Sequence, residues 1–224
     1  ANPDSAQAAR DVSVSLERLG DFLSSRGQAG DAEQALGYCQ RSLEVRERLA
    51  AANPDSAQAA RDVSVSLERL GDFLSSRGQA GDAEQALGHY QRRLEIAERL
   101  AAANPDSAQV AHDLKVSIER VAGMKSQQRD AAGALVEQER ALGIARRLYE
   151  NTKSYEMGRT LAISLVLTGQ YAGAAGDQAQ AQRHLLEAFT LLDTYVRQGT
   201  QLDAQMRQLH AQLASFFTSP ASKP

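Results

Sequence analysis

The sequence predicts an all-α fold made by stacking helix pairs, and three observations predict it. Residues 1–51 and 52–102 align without a gap and differ only at Tyr38/His89, Cys39/Tyr90, Ser42/Arg93, Val45/Ile96 and Arg46/Ala97. Within each copy, two stretches of helical periodicity flank a glycine turn, Leu19 to Gly27 followed by Asp31 to Leu36 in the first and Leu70 to Leu87 in the second. Nothing in the chain reads as a strand. A unit copied at a fixed period buries its apolar face against its neighbours, so the fold becomes a question of how copies stack.

The first helix of a unit places Val12, Leu16, Leu19 and Leu23 on one stripe, which predicts a core face. Asn2-Pro3-Asp4 predicts its start: Asn as the cap, Pro where a missing N–H costs nothing, Asp near the positive end of the dipole. The signal recurs at Asn53-Pro54-Asp55 and Asn104-Pro105-Asp106. Gly27 and Gly30 end the helix, and Asp31 is expected to cap the second, which runs through Ala35, Leu36, Cys39, Leu43 and Leu49. The third copy starts at Ala103 and is three residues shorter at the turn, so that Ala131–Leu135 answers Ala83–Leu87. The fourth starts at Asn151 and keeps Ser154, Arg159, Ser164, Leu165, Gly169, Gly176 and Asp177. Repeats are therefore expected over 1–51, 52–102, 103–150 and 151–199. A last amphipathic helix over 201–217, with Leu202, Met206, Leu209, Leu213 and Phe216 inward, is expected to cover the end of the stack. Residues 218–224 read as a disordered Ser/Pro tail.

A net charge of −3 with 24% charged residues supplies no basic field, so neither nucleic acid nor an anionic membrane is an expected partner. No apolar run approaches the roughly 20 residues of a membrane span. A single cysteine cannot form an internal disulfide and points to a reducing, cytoplasmic setting. The opening at Ala1 on a repeat boundary, without Met, suggests a piece of a longer protein.

Leu70-Gly71, Leu74, Gly78, Ala86, Tyr90 and Leu94 in the second copy resemble the tetratricopeptide repeat, as do Gly169, Gly176, Ala181, Leu185 and Ala188 in the fourth. Gly71 and Ala86 would let two helix backbones approach, with Tyr90 filling the space beyond. The 51-residue unit, and Ser42 to Leu49 followed by Asn53-Pro54-Asp55, look most like the long repeats of kinesin light chains and related bacterial proteins. The resemblance implies a right-handed α-solenoid of tetratricopeptide-like helix-turn-helix repeats with a C-terminal capping helix over residues 1–217. It also implies non-catalytic protein or peptide binding in a concave groove lined by first helices. Departures are the absence of Trp, Arg93 where a small residue is usual, and an inserted Gln-Ala-Gly at the turn.

The chemistry-bearing residues argue against catalysis. His89, His112, His184 and His210 lie on different helices with no second ligand at i,i+4, which predicts no metal site, no cofactor and no general base. Cys39 falls where its sister copy has Tyr90 and reads as core filler. What remains is the flank of the first helices turned from Leu16 and Leu19, where Arg10, Val14, Glu17, Asp21 and Ser25 fall together at 100° per residue. Its expected binding rows are Arg10, Arg61, His112 and Arg159; Val14 and Val65; Glu17, Glu68 and Glu119; Asp21 and Asp72. Glu17 with Asp21, and Glu68 with Asp72, are like charges at i,i+4, each costing about 0.2–0.5 kcal/mol on an isolated helix. Either a basic or mixed-charge partner relieves that cost, or Arg18 and Arg69 already do and leave a solvated face. A structural module that stacks end to end or dimerises through its first repeat is the second expectation, because Val12, Leu16 and Leu19 lack a preceding unit.

Overall fold

The computed structural model describes residues 3–218. The proposed Asn2-Pro3-Asp4 cap and the tail 218–224 lie outside the residues whose side chains are described. Among the described residues the chain is all helix and turn: α1 (Pro3–Arg26), α2 (Asp31–Ala52), α3 (Ala57–Arg77), α4 (Asp82–Ala103), α5 (Ala108–Gln127), α6 (Ala131–Thr152), α7 (Tyr155–Ala174), α8 (Gln178–Arg197) and α9 (Ala204–Thr218). Consecutive helices pack in pairs, which is the all-α solenoid plan the periodicity predicts. The chain divides into two compact halves, Ala1–Val110 and Ala111–Pro224.

In the N-terminal half the turns of the first two repeats are the same. Gly27 and Gly78 take φ of 65° and 64°, and Gly30 and Gly81 take 84° and 85°, a left-handed conformation in which glycine meets no Cβ penalty. Asp31 does not cap its own helix, since Gly30 holds the cap position without a side-chain bond. Its carboxylate instead accepts from Arg26 Nε at 2.8 Å, from Arg26 Nη2 and from the Gln28 N–H at 2.8 Å, which ties the end of α1 to the start of α2. Asp82 makes the same contacts with Arg77 and Gln79. A forked guanidinium five residues back matches the carboxylate better than one backbone N–H ahead.

The connectors also differ from the expectation. Asn53 terminates α2, and the cap of α3 is Ser56, whose side chain accepts from Ala59 N at 3.1 Å. Ser107 does the same for α5 through Val110 N at 3.3 Å. Pro54 carries no N–H and disfavours the helical region for the residue before it, so Asn-Pro-Asp closes one helix and leaves the serine to open the next.

Within a pair the helices approach where a glycine faces the second helix. A Cβ built on Gly71 would lie 2.6 Å from the Tyr90 ring, and one on Gly169 would lie 3.1 Å from both Ala181 O and Leu185 Cγ. Gly20 faces the smaller Cys39, whose Sγ is 3.1 Å from the same construction. The predicted core stripe holds on α3, where Val63, Leu67 and Leu70 are buried with Cys39 and Leu43 and Leu74 is buried as well. On α1 it holds only for Leu16 and Leu23: Val12 is 52% and Leu19 45% exposed, because no helix pair among the described residues covers that side.

In the C-terminal half, α9 completes the core of the last pair. Leu202, Met206 and Leu213 are buried with Leu161, Leu165 and Leu192, and Leu209 packs against them. The helix starts at Ala204, later than expected, because Asp203 serves as a cap by accepting from Met206 N at 3.1 Å. Phe216 is exposed and not buried as predicted; it meets Phe217 edge-on at 5.0 Å. Shorter turns in this half use side chains for the next helix start, Asp130 accepting from Gly133 N and Asp177 from Gln180 N, each at 2.8 Å.

Gly71→Ala should destabilise the chain by about 1–3 kcal/mol through overpacking on Tyr90. Gly20→Ala, where the gain in helix propensity of about 1 kcal/mol opposes a milder clash with Cys39, should be near neutral. Urea unfolding of the two variants, compared with the parent, checks the difference.

Acid should probe the two turns. Hydrogen bonds from Arg26 and Arg77 hold Asp31 and Asp82 below the usual carboxylate range. A depressed folded-state value contributes stability that is present above the unfolded value of about 3.9 and is lost as pH falls through the folded one. Stability should therefore drop below roughly pH 4, and Arg26→Gln with Arg77→Gln should flatten that drop in a pH series of melting temperatures.

Candidate functional site

The flank of the first helices is not one uniform charged face. Glu17 is buried, at 5% exposure, and not presented to solvent. Arg46 of α2 meets both its oxygens, Nη1 at 3.0 Å from Oε1 and Nη2 donating to Oε2 at 3.0 Å. Ser42 and Ser66 hydroxyls donate to Oε1 at 3.2 and 3.0 Å, and Arg69 Nε stands 3.5 Å from Oε2. Arg46 is fixed in turn by donating to Ser13 Oγ at 3.2 Å and to the Asp62 carbonyl at 2.9 Å. The like-charge cost between Glu17 and Asp21 is thus relieved inside the protein, by Arg46 nearest Glu17 and by Arg69 nearest Asp21.

The other predicted residues divide by exposure. Val14 and Val65 are 40% and 44% exposed, and Asp21 is the most open carboxylate, paired with Arg69 Nη1 at 2.8 Å. Glu68 sits 3.4 Å from Arg93 Nη2, and Asp72 accepts from the Tyr90 hydroxyl at 2.6 Å. Arg10 Nε lies 3.3 Å from Asp62 Oδ2 across the α1–α3 boundary, and Arg61 is half-buried on α3. Between α1 and α3, Asp21, Glu68 and Asp72 border a groove of about 570 Å³ beside Arg69, with Val65 and Phe73 as its apolar surface. Cys39 lies at its base, where burial, reinforced by Asp21 and Glu17, pushes the thiol up to about 11. It is an inert thiol at neutral pH.

In the C-terminal half, His112 is half-buried and Glu119 receives Lys115 Nζ at 2.8 Å on both oxygens and the Ser164 hydroxyl at 3.2 Å. Arg159 is spent on α9: Nη2 donates to Gln205 Oε1 at 2.7 Å, and Nε is 3.2 Å from Asp203. Among the described residues no group of three or more His, Cys, Asp or Glu side chains could hold a metal ion. No helix among them is long and apolar enough to cross a membrane.

Arg46, Ser42 and Ser66 were absent from the sequence-predicted site. A signal for them existed in the copies: Ser42/Arg93 and Arg46/Ala97 are two of the five differences, one helical turn apart, so one arginine has moved a turn along the same face. Arg93, a departure from the family pattern, is the 8%-exposed cation that faces Glu68.

No protein-family model matches the chain, and no curated protein matches its sequence. Solved structures do match. BtubC (BKLC) from P. vanneervenii superposes with a TM-score of 0.53 at 18% identity, over 90% of this chain and 91% of that one. The apo form of RapI gives 0.56 at 13% identity, over 97% of this chain and 70% of that one. The S. pombe nuclear import adaptor Nro1 gives 0.56 at 16% identity, over 92% of this chain and 65% of that one. The fold is a tetratricopeptide-like helical repeat. At these identities the likeness speaks for the fold, and function has to be argued from the site.

Replacing Arg46 by Met should cost on the order of 3–5 kcal/mol, because it strands the buried Glu17 carboxylate. Adding Glu17→Gln should recover much of that loss by removing the charge. A double-mutant cycle in urea measures the coupling.

Proposed function

We propose that this chain is a non-catalytic protein- or peptide-binding scaffold, with residues 1–217 as its folded part, and that it binds through the groove between the first helices of its first two repeats. The observation that carries this reading is the groove itself. Three carboxylates, Asp21, Glu68 and Asp72, border it beside the Arg69 guanidinium, Glu68 also facing the buried Arg93, and the exposed Val14 and Val65 lie on the same flank. That pattern favours an extended segment bearing Lys or Arg together with an apolar side chain. Nro1, one of the similar structures, is a nuclear import adaptor, which is a role of the same kind. The 51-residue period further supports a long, kinesin-light-chain-like repeat of bacterial type, and the lone buried thiol supports a reducing cytoplasmic setting.

In this reading Glu17 positions α1 against α2 and α3 and does not meet the ligand. His112, Glu119 and Arg159 belong to the other half, where Glu119 is held by Lys115 and Ser164 and Arg159 by Gln205 and Asp203. A second reading, a structural assembly module, is favoured by the exposed Val12, Leu19 and Phe22 on α1.

The test uses a fluorescent Lys/Arg peptide with alternating apolar residues at low ionic strength. Asp21→Asn with Asp72→Asn should weaken binding severalfold, and raising salt should weaken the parent toward the same level. Binding that ignores both changes would remove the groove from consideration.

A further inference from the structure

In the C-terminal half, α6 and α8 both pack on α7 and leave a groove of about 580 Å³ between them. Its floor is Leu161 and Leu165 of α7, both buried. Its α8 wall carries Leu186, Thr190 and Thr194 at four-residue spacing, which sets them in one row, and Leu186 is 50% exposed. The polar groups of that wall are already engaged. Thr190 donates to the Leu186 carbonyl at 2.8 Å, Thr194 donates to the Thr190 carbonyl at 2.7 Å, and Glu187 pairs with Arg146 of α6 at 2.7 Å. One charge is left over. Arg183, a turn ahead of Glu187 on the same wall, is exposed and has no ion pair among the described residues.

The corresponding groove of the N-terminal half, between α2 and α4 over α3, is built differently. With Ala181 set on Ala86 and Leu185 on Tyr90, the residues Arg183, Leu186, Thr190 and Thr194 answer Gly88, Gln91, Glu95 and Arg99. The ion pair that ties the two second helices is present in both halves with its signs exchanged, Arg92 of α4 meeting Glu47 of α2. That groove holds about 300 Å³. The tie between helices is kept while the strip beside it has changed from polar to apolar, so the apolar strip is not a requirement of packing.

We propose that the groove between α6 and α8 binds a single fatty acid, with its aliphatic chain along Leu186, Thr190 and Thr194 and its carboxylate on Arg183. A guanidinium meets a carboxylate through two parallel hydrogen bonds, and Arg183 has no carboxylate of its own. The strip from Arg183 to Thr194 is about 16 Å long at 1.5 Å per residue, which suits a chain of medium length. A peptide fits this wall poorly. Each of its residues brings an N–H and a C=O that need partners once buried, and the two hydroxyls and the carboxylate of the wall are engaged elsewhere. A methylene chain brings neither. The site lies in the other half from the Asp21 groove and does not depend on what that groove binds.

The experiment titrates dodecanoate, below its micelle concentration, into the intact chain by calorimetry, with dodecyltrimethylammonium as the cationic counterpart. The parent should bind one dodecanoate saturably and the ammonium several times more weakly. Leu186→Gln, Thr190→Glu and Thr194→Arg together restore the residues of the second repeat without changing net charge, at three exposed positions. This variant should keep the parent's melting temperature and bind dodecanoate at least about tenfold more weakly, through loss of apolar contact. Arg183→Gln should weaken dodecanoate severalfold and leave the ammonium unchanged, and it serves as the independent arm should the triple variant fold poorly. Dodecanoate binding indifferent to both variants, or no saturable binding, would overturn the proposal. Equal affinity for the two head groups would remove Arg183 from it. Capture by phosphatidylglycerol vesicles without binding of free dodecanoate, or tighter binding of an acidic leucine-rich peptide, each lost in the triple variant, would replace the fatty acid by a lipid surface or a protein partner and overturn it as well.

Discussion

The first two repeats close around one buried charge. Glu17 of α1 is reached from two further helices, by Arg46 and Ser42 of α2 and by Ser66 and Arg69 of α3. A carboxylate removed from water is costly unless its oxygens are paired and hydrogen-bonded, and here both are. Pairing of this kind orients helices more than it stabilises them, since an apolar isostere could fill the same space. What Glu17 adds is register. Its bond to Ser66 forms only when α3 lies at one height along α1.

The carboxylate stays in place from repeat to repeat while its cation moves. Glu17 is met by Arg46, Glu68 by Arg93 one turn earlier on the second helix, and Glu119 by Lys115 on its own helix. The neutralising charge can come from any residue whose side chain reaches the site. The glycine approach shows the same tolerance, with Cys39 over Gly20, Tyr90 over Gly71 and Leu185 near Gly169. Small residues on the first helix set the separation, and whatever projects from the second fills what is left. Tyr90 also gains an acceptor for its hydroxyl in Asp72, a contact Cys39 cannot make with Asp21.

Helix number, pairing and turn glycines were legible in the sequence because each rests on a local signal: a period, a breaker, an exact copy. The caps were not. Asn-Pro-Asp and Asp31 both look like helix starts, and the choice between them and Ser56 or Gly30 depends on Arg26 lying within reach of Asp31 and on Pro54 closing the helix before it. Burial was legible only where it is a property of the helix itself. Leu19 and Leu70 sit in the same local sequence, yet one is 45% exposed and the other fully buried, because exposure depends on whether a neighbouring pair is present. Glu17 was misplaced for a related reason: an angular plot puts it beside Asp21 but does not know that Arg46 projects from α2 toward it.

The two carboxylates of α1 stand in different environments. Glu17 and Asp21 are one turn apart, the first 5% exposed and the second open to the groove with a side chain 62% exposed. An exposed pair such as Asp21 with Arg69 contributes about 0–1 kcal/mol, so an incoming cation can displace the arginine at small cost. Taking Arg46 from Glu17 would leave a buried charge and cost several times more. A basic ligand entering the groove would therefore exchange partners at Asp21 and leave the Glu17 cluster intact. The helix carries its fixed charge at the level where α2 and α3 converge and its exchangeable charge one turn beyond. Mutations at the two levels should accordingly differ in kind, the buried one read out as folding and the exposed one as affinity.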